Sequence, residues 1–278
     1  MLTMKQAQWE LGKRTYIMGI LNVTPDSFSD GGRFTHVDRA VEHAFELIGQ
    51  GADIIDIGGE SIRPGSDEVG DAEELARVLP VLEKLRSLSE IPISIDTYKA
   101  SVAEACLKAG ASMVNDVWGL QREPEIAKAA ARYGAPVVAM HNQAGTEYAG
   151  DILESMIAFF EKSIDIAREA GIPQNQIILD PGIGFGKTAE QNILVMGRLG
   201  ELRRLGCPVL LGTSRKSTIG RILDLPPHQR VEGTLATTAL GIWQGVDIVR
   251  VHDVLENRRA ALVADAVVRG YMPWTASV

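Results

Sequence analysis

Six basic side chains stand at the ends of short apolar runs, and as a group they are typical of a site that binds a multiply charged anion. They are Arg63, Lys187, Arg215, Lys216, Arg250 and His252. The whole chain carries a formal net charge of −8, so cations concentrated in one place need a local reason. Arginine binds phosphate or carboxylate with two parallel hydrogen bonds. The alternative interpretation is that each cation lies on the surface and pairs with a nearby acid.

Three further side chains directly follow apolar runs and have the chemistry to recognise a flat polar heterocycle. They are Asp96, Asn115 and Asp180. A carboxylate at the end of a buried strand loses its water and needs a hydrogen-bond donor. An amidine-like edge, as in a 2-aminopyrimidinone, offers two parallel N–H donors, and an asparagine complements a mixed donor and acceptor edge. Alternatively, the two aspartates form structural ion pairs with Lys187 or Lys216. Asp116, next to Asn115, is expected to turn away from the site.

The sequence also offers one oxygen atom that could bind a metal ion and one aromatic ring that could stack on the same heterocycle. Asn22 ends an apolar run, and its oxygen can hold Mg²⁺ if phosphate oxygens and water complete the octahedron. An asparagine in this position is equally a common turn former. Phe185 lies in the Gly-rich segment DPGIGFGK, where a ring has little core to fill and can stack on a planar ligand. His141 and His252 lack a third ligand at zinc-like spacing, so we expect no zinc site.

Eight short apolar runs must position these side chains. The runs lead to Asn22, Arg63, Asp96, Asp116, His141, Lys187, Ser217 and Asp253. Segments such as 177–179 and 209–211 show no polar alternation, so as strands they must be buried on both faces, as in a parallel sheet. Enough chain for a loop and a helix separates consecutive runs. We therefore predict an α/β fold, a single (β/α)8 TIM barrel over residues 1–278 with its active site at the C-terminal ends of the strands.

Local signals fit this arrangement. Asp71 with Glu74 forms a capping-box pattern and predicts a helix start. The prolines within residues 224–228 predict a split between two helices late in the chain. Two segments, residues 22–35 and 58–70, are expected to be loops on the catalytic face and candidate lids.

Composition limits the kind of protein. The 278 residues are 45% apolar and 23% charged, which is ordinary for a globular domain. The negative net charge argues against nucleic-acid and anionic-membrane partners. Cys106 and Cys207 show no metal or redox spacing and are expected to be free thiols in a reducing compartment. Without a leader-like or bilayer-length apolar stretch, the chain is expected to be cytoplasmic.

Together these motifs resemble one enzyme family. MGILNVTPDSFSDGG, GGES, SIDT, VND, AMH, LDPGIGFGK, GTSRKS and RVHDV touch all eight runs. They are similar to the motifs of the dihydropteroate synthases, the folate-pathway transferases that sulfonamides inhibit. The resemblance implies that the chain joins 6-hydroxymethyl-7,8-dihydropterin pyrophosphate to p-aminobenzoate, giving 7,8-dihydropteroate and pyrophosphate. It also implies a Mg²⁺ cofactor and a homodimer formed through helices late in the barrel.

The resemblance further implies a role for each matching residue. The implied pterin site comprises Asp96, Asn115, Asp180 and Lys216, with Met140 and Phe185 packed around the ring. The implied pyrophosphate site comprises Asn22, Ser61, Arg63, Arg250 and His252, and Asn22 is also the implied Mg²⁺ ligand. The implied p-aminobenzoate site comprises Pro25, Phe28, Phe185 and Ser217. The implied catalytic residues are Arg63, Lys216, Arg250 and His252. The arylamine is already nucleophilic, so we name no general base.

One position departs from the family pattern. Ile62 stands where members commonly have Thr, and Ile cannot donate a hydrogen bond to phosphate. We expect Ser61, Arg63 and backbone N–H groups to compensate, since one neutral hydrogen bond is worth about 0.5–1.5 kcal/mol. Two alternatives stay open. A methyltetrahydrofolate:corrinoid methyltransferase has a similar fold and similar acids but no need for the basic set. A non-catalytic pterin-binding paralogue is favoured by Ile62 alone.

Overall fold

The computed structural model describes residues 1–24, 33–61 and 68–275, and at its centre is a closed sheet of eight parallel strands. Two short strands come first, β1 (Leu2–Thr3) and β2 (Gln8–Trp9). The barrel strands are β3 (Tyr16–Asn22), β4 (Ile54–Gly58), β5 (Ile93–Asp96), β6 (Met113–Asp116), β7 (Val137–Met140), β8 (Ile177–Asp180), β9 (Leu210–Leu211) and β10 (Ile248–Val251). They pair in the order β8-β7-β6-β5-β4-β3-β10-β9, and a parallel bridge between Leu179 and Val209 joins the two ends. The predicted (β/α)8 barrel is confirmed.

Helices follow the strands along the chain. They are α1 (Arg33–Gly49), α2 (Asp71–Leu88), α3 (Ala100–Lys108), α4 (Glu125–Tyr133), α5 (Ile152–Glu169), α6 (Ala189–Gly197), α7 (Ser217–Leu223), α8 (Val231–Trp243) and α9 (Val254–Arg269). The predicted split is confirmed, because α7 ends at the left-handed Asp224, with φ 54°, and Pro226 precedes a short 3-10 turn before α8 begins. Among the described helices, none has the length and apolar character needed to cross a membrane.

The predicted capping box at the start of α2 is wrong. Asp71 is the first helical residue rather than the cap, and Gly70 precedes it without a side-chain hydrogen bond. Glu74 does not reach back to the helix end, because its buried carboxylate pairs with Lys99 instead. A tertiary contact therefore takes the side chain that the local pattern assigned to the cap.

The N-terminal end of the barrel is covered by β1 and β2. Leu2, Met4 and Trp9 are buried there. They pack in one cluster with strand residues Tyr16, Met18, Ile54, Met113, Val138, Ile178, Leu210 and Ile248. The Trp9 ring stacks on Tyr16 with the centroids 4.2 Å apart. Two-residue strands carry no readable hydrophobic period, so the sequence pattern does not predict this pair.

Alternate residues of a strand serve two different interiors, and β4 illustrates this. Ile55 and Ile57 belong to the large core between the sheet and the helices, whereas Ile54 belongs to the cluster at the N-terminal end of the barrel. Side chains alternate with period two, so Asp56 shares the inward side with Ile54. Asp56 is fully buried, as is its neighbour across the sheet, Ser94. The inside of the barrel thus changes from apolar to polar toward the C-terminal ends of the strands.

Candidate active site

A largely buried arginine links two acidic side chains at the C-terminal mouth of the barrel. Arg250, in β10, donates from Nε to Asp56 and from Nη2 to Asp96, each over 2.6 Å. Burial raises the pKa of Asp96 to about 7, although the Arg250 charge acts in the opposite direction. Burial alone would lower the pKa of Arg250, but the two carboxylates outweigh it and hold the pKa above its ordinary value. Arg250 is therefore a permanent cation within the mouth.

Asp56 is a site residue that the sequence patterns do not identify. It stands inside the apolar run IIDIG rather than at its end. Its Oδ2 accepts hydrogen bonds from Arg250 and, at 3.1 Å, from the Asn115 amide. Its Oδ1 is buried without a hydrogen-bond partner among the described residues. A charged side chain on the inward side of a barrel strand is the signal that identifies it, because such residues are seldom fully buried without a reason.

Asp180, Lys216 and Arg250 converge around Gly212. A Cβ atom on Gly212 would lie 3.8 Å from Asp180 Oδ2, 3.8 Å from Lys216 Nζ and 3.9 Å from Arg250 Cβ. Asp180 Oδ1 accepts the Gly182 N–H at 2.7 Å. Burial raises the pKa of Asp180 against the nearby charge of Lys216, and burial lowers the pKa of Lys216 to about 8. The glycine keeps the space between one acid and two cations open.

Asn22 lies at the same mouth, at the end of β3. A Cβ atom on Gly58 would lie 3.6 Å from Asp96 Oδ2 and 3.8 Å from Asn22 Oδ1. The asparagine oxygen and the aspartate therefore both border the space beside Gly58, at the ends of three consecutive strands. A second glycine thus keeps space open next to functional groups.

The predicted residues Ser61, Ser217 and His252 lie in the segments that follow β4, β9 and β10. His252 is half-buried, and its Nδ1 lies 3.0 Å from Ser214 Oγ. Ser217 is exposed as the first residue of α7, directly after Lys216. Ser61 is half-buried where the described chain leaves β4. The structure thus holds the His252 ring by a neighbouring loop residue.

An apolar wall borders the mouth on the side of β5 to β8. Met140 is buried in a cluster with Tyr98 and Val117, and Phe185 packs against it. The Lys216 ammonium lies 4.8 Å from the centroid of the Phe185 ring, which is within cation–π range. Phe185 therefore contacts both an apolar and a polar residue that are predicted to bind the heterocycle, Met140 and Lys216.

Two members of the predicted cation set have protein partners of their own. Arg215 forms a two-point ion pair with Asp253, in which Nε lies 2.9 Å from Oδ2. Lys187 is buried and donates to His141 Nδ1 at 2.9 Å and to two backbone carbonyl oxygens. Lys187 nevertheless lies close enough to Asp180 to act against burial, which raises the pKa of that carboxyl, and Arg63 lies outside the described residues. The convergence of all six cations therefore stays a prediction. In the described part of the chain the mouth has Lys216, Arg250 and His252.

Five predicted positions add no described contact to the mouth. Pro25, Phe28, Ile62 and Arg63 lie outside the described residues. Asp116 is buried and accepts the backbone N–H groups of Trp118 at 2.8 Å and Leu120 at 2.6 Å. It supports the turn after β6, in agreement with the expectation that it turns away from the site.

A buried ionic network lies beside the mouth, and the sequence patterns do not indicate it. Lys99 Nζ pairs with both Glu60 and Glu74, whose side chains are exposed by only 7% and 1%. The Tyr98 hydroxyl donates to Glu60 Oε1 at 3.0 Å. Burial raises the pKa of Glu74, and the Lys99 ammonium acts against this. Glu60 directly precedes Ser61, so the network anchors one edge of the mouth.

His141 provides a test of the buried polar groups through the pH dependence of stability. Burial, and then the Lys187 charge, lowers the pKa of its ring to about 3. An unfolded histidine titrates near pH ~6.5, so below that pH the unfolded chain takes up a proton that the folded protein does not. We expect the free energy of unfolding to fall as the pH drops from about 6.5 toward 3, by at most about 1.4 kcal/mol per pH unit from this residue.

Urea unfolding of the wild type and of His141→Asn measures this contribution. Asparagine does not titrate, so the variant should lose about 2 kcal/mol less stability than the wild type between about pH 7 and about pH 5. Equal losses in the two proteins would contradict the buried neutral ring.

The comparisons with known proteins agree with this geometry. The model of the pterin binding enzyme family matches residues 18–252. The dihydropteroate synthase of Clostridium beijerinckii is 53% identical over 263 residues, which cover 94% of this chain and 97% of that protein. The crystal structure of dihydropteroate synthase from Clostridium difficile in the presence of pteroic acid has a TM-score of 0.93 at 59% identity, covering 94% of this chain and 100% of that one. Xanthomonas albilineans dihydropteroate synthase with 4-aminobenzoic acid has a TM-score of 0.87 at 43% identity, covering 92% and 94%. The chain therefore belongs to the pterin-binding enzymes and, within them, to the dihydropteroate synthases.

Proposed function

We propose that the mouth of the barrel joins 6-hydroxymethyl-7,8-dihydropterin pyrophosphate to p-aminobenzoate, forming 7,8-dihydropteroate and releasing pyrophosphate. The observation that carries this proposal is the convergence of Asp180, Lys216 and Arg250 around Gly212, with Asp96 bonded to the same arginine. Acids for a flat heterocycle thus lie beside cations for a pyrophosphate. The related structures with pteroic acid and with 4-aminobenzoic acid support the two halves of the reaction. As a member of its family, the chain is a transferase of folate biosynthesis.

The pterin ring is proposed to bind between the β5–β6 edge of the mouth and the β8 end. One Asp180 oxygen accepts the Gly182 N–H, and the other faces Gly212 and Lys216. This second oxygen is placed to accept N–H groups of the 2-aminopyrimidinone edge. Asp96, Asn115 and Lys216 are proposed to complete the polar contacts, and Met140 and Phe185 the apolar ones.

The pyrophosphate is proposed to bind on the Arg250 and His252 side. Arg250 uses Nε and Nη2 for Asp56 and Asp96, which leaves Nη1 for an anionic oxygen. The His252 ring is oriented by its contact with Ser214. Asn22, Ser61 and Arg63 are proposed to complete this set, and Ser217 with Pro25 and Phe28 to bind p-aminobenzoate.

Mg²⁺ is proposed to bind beside Asn22. Its Oδ1 and Asp96 Oδ2 both border the space beside Gly58, and neutral and anionic oxygens of this kind suit Mg²⁺. The part of the chain that the structure describes contains no group of three or more His, Cys, Asp or Glu side chains that could hold a metal ion. Pyrophosphate oxygens and water are proposed to supply most of the ligands. When bound, the ion would neutralise charge on the leaving group as a Lewis acid.

Replacing Asn22 by Ala should weaken the metal-dependent part of substrate binding. We expect the Mg²⁺ concentration for half-maximal binding of the pterin pyrophosphate to rise by about tenfold or more. Calorimetry over a series of Mg²⁺ concentrations measures this, with the exposed Asn175→Ala as the matched control. A hydroxymethylpterin without pyrophosphate should bind both proteins equally. If its binding falls as well, Asn22 acts on the pterin pocket and the metal assignment is wrong.

The chemistry requires little more than positioning and charge stabilisation. The bond between the pterin methylene carbon and the pyrophosphate oxygen breaks first or early, because the electron-rich ring delocalises the positive charge. Asp96 and Asp180 are proposed to stabilise that charge, while Arg250 and His252 stabilise the departing oxygens. The electron pair of the broken C–O bond leaves with pyrophosphate. The arylamine nitrogen then forms the new C–N bond and loses one proton to water. No general base is assigned, since the arylamine attacks without prior deprotonation.

Turnover with both substrates and Mg²⁺ tests the proposal, followed as dihydropteroate formed and pyrophosphate released in equal amounts. Tight pterin binding without turnover would favour a non-catalytic paralogue. Methyl transfer from methyltetrahydrofolate to a corrinoid would favour the methyltransferase alternative. Either outcome replaces the proposed reaction.

A homodimer is proposed to form through the apolar face of α8 and α9. Leu240, Trp243, Val263 and Val267 on this face are exposed by 61%, 69%, 67% and 75%, and they line one groove. Exposed apolar patches rimmed by polar residues mark interaction surfaces. A second copy of the chain, as the family resemblance implies, is the occupant that we propose.

Charges on this face should separate the two copies. We expect Trp243→Glu combined with Val267→Glu to give a monomer, because an interface cannot bury unpaired carboxylates. Sedimentation velocity at matched protein concentrations measures the change. Leu88→Glu, at a residue of α2 that is 57% exposed, is the control and should leave the dimer intact. A wild type that sediments as a monomer contradicts the proposal.

We also propose that residues 1–278 act as one domain in the cytoplasm. The eight-stranded sheet uses residues from Tyr16 to Val251, which supports one folding unit. Cys106 and Cys207 are buried free thiols, which supports a reducing compartment.

A further inference from the structure

A glycine-rich turn, residues 181–187, carries part of the proposed pterin site. It begins directly after Asp180 and contains Phe185. Within this glycine turn, Ile183 O accepts a hydrogen bond from Lys216 Nζ at 2.5 Å. The turn therefore positions one aromatic ring and fixes one cation of the mouth.

The turn has few side chains of its own to hold it in place. Gly182, Gly184 and Gly186 all have positive φ, at 64°, 88° and 56°, and they contribute no packing. At Gly182 a Cβ atom would lie 2.0 Å from His141 O, so no other residue fits there. Such a segment depends on hydrogen bonds from neighbouring elements.

Lys187 supplies hydrogen bonds to both sides of the functional part of the turn. Its Nζ donates to Gly182 O and to Phe185 O, each over 3.1 Å. These two residues flank Ile183, whose carbonyl contacts Lys216. Lys187 is 8% exposed, so its ammonium serves the turn rather than the solvent or an incoming anion.

The third partner of Lys187 is fixed by the neighbouring strand. His141 Nδ1 lies 2.9 Å from Lys187 Nζ. Burial lowers the pKa of Lys187 to about 7, and when the lysine is protonated it only donates, so that this nitrogen accepts. The His141 backbone N–H donates to Asp180 O at 2.9 Å. Its ring packs edge-on against Phe159 with the centroids 4.8 Å apart. The lysine thus ties the turn to a rigid part of the barrel.

We propose that Lys187 is a positioning residue for the pterin substrate, which holds the glycine turn so that Phe185 and Lys216 meet the ring in one geometry. The inference rests on the proposed function, since it assigns a task within the same site. Lys187 touches no substrate in this scheme and acts through the turn. Small displacements of positioned groups are costly in an enzyme site, so the predicted effect on pterin affinity is large.

Lys187→Met tests the proposal, because methionine keeps the length of the side chain and removes all three hydrogen bonds. We expect the dissociation constant of the pterin pyrophosphate, measured by calorimetry without p-aminobenzoate, to rise by about 10- to 100-fold. Lys162→Met, at an exposed position of α5, is the matched control and should bind like the wild type. If Lys187→Met binds the pterin as tightly as the wild type, the proposal is wrong.

Variants of His141 distinguish a positioning role from a merely structural one. His141→Leu removes one of the three hydrogen bonds of Lys187 and should weaken pterin binding, but by less than Lys187→Met. Adding it to Lys187→Met should lose nothing further, because His141 acts on the turn through Lys187. His141→Asn keeps an acceptor near the place of Nδ1 and should restore most of the affinity. Additive losses in the double variant would overturn the proposal. If Lys187→Met does not fold, the Leu and Asn variants of His141 still give opposite expected results.

The proposed function is tested separately by the wild type in the same experiments. A wild type that neither binds the pterin nor turns over refutes the proposed reaction. A wild type that does both, beside a Lys187→Met variant with unchanged pterin affinity, refutes only the positioning role.

Discussion

Replacing Asp180 by Asn should abolish most of the pterin affinity while leaving the fold intact. The Gly182 N–H donates to Asp180 Oδ1, so the amide oxygen of the variant must take that position. The amide NH₂ then occupies the place of Oδ2, where it faces the Lys216 ammonium and the N–H edge of the ligand. Three donors meet where one acceptor stood. We expect affinity for the pterin pyrophosphate to fall by on the order of 100- to 1000-fold, or about 3–4 kcal/mol.

Calorimetry of the pterin pyrophosphate, together with thermal unfolding of the unliganded protein, checks this expectation. Burial raises the pKa of Asp180, because it disfavours the charged carboxylate, and a neutral amide does not carry that desolvation cost. The melting temperature of the variant should therefore equal or exceed that of the wild type. Asp165→Asn, at a residue of α5 that is 69% exposed, is the matched control. Near-normal pterin binding by Asp180→Asn would remove this residue from the site.

The second large effect concerns stability and comes from Lys99→Met. The substitution leaves Glu60 and Glu74 buried without their ammonium partner. Removing one member of a buried ion pair costs about 3–5 kcal/mol, because the remaining charge is uncompensated. We expect a loss of this size in the free energy of unfolding, measured in urea at about pH 8. Lys162→Met again serves as the control.

The same variant should show a characteristic pH dependence. Burial already raises the pKa of Glu74, and Lys99 acts against it, so removing Lys99 raises the pKa further. A group whose pKa is higher in the folded than in the unfolded state stabilises the fold as it is protonated. The stability difference between Lys99→Met and the wild type should therefore shrink as the pH falls toward about 5. Adding Glu74→Gln to Lys99→Met should recover part of the loss at about pH 8, and a double variant no more stable than Lys99→Met would contradict the buried charge as its cause.

Sequence periodicity predicted the architecture because a parallel barrel strand has a strong signal. Each run is buried on both sides and ends in polar residues, and eight such runs at regular spacing leave few alternative folds. The family resemblance is confirmed by a relative that is 53% identical in sequence. It follows from motifs that lie at the ends of the same apolar runs. The β1–β2 pair carried no such signal, since its two-residue strands have no period to read.

The candidate site was predicted less completely, because the end of a strand does not determine where a side chain points. Arg215 and Lys216 are adjacent, yet Arg215, which has a positive φ, pairs with Asp253, while Lys216 bonds to Ile183 O on the side of Asp180. Lys187 ends the glycine-rich turn, and its side chain folds back onto that turn to bond Gly182 O. Asp56 was missed for the opposite reason: it lies within an apolar run, where a charge is not expected at a site. The geometry of the loops and the side of the strand on which a residue lies thus determined where these side chains point.

The burial of Leu2, Met4 and Trp9 under the barrel has a consequence for how reactants enter and leave the site. These residues close the N-terminal end of the barrel, so we expect both reactants to enter and leave through the C-terminal mouth. A reactant that binds deep in such a mouth has to arrive before, and leave after, a reactant that binds above it. Entry and exit through one shared opening would therefore impose an order of binding and release on the two reactants without any conformational change.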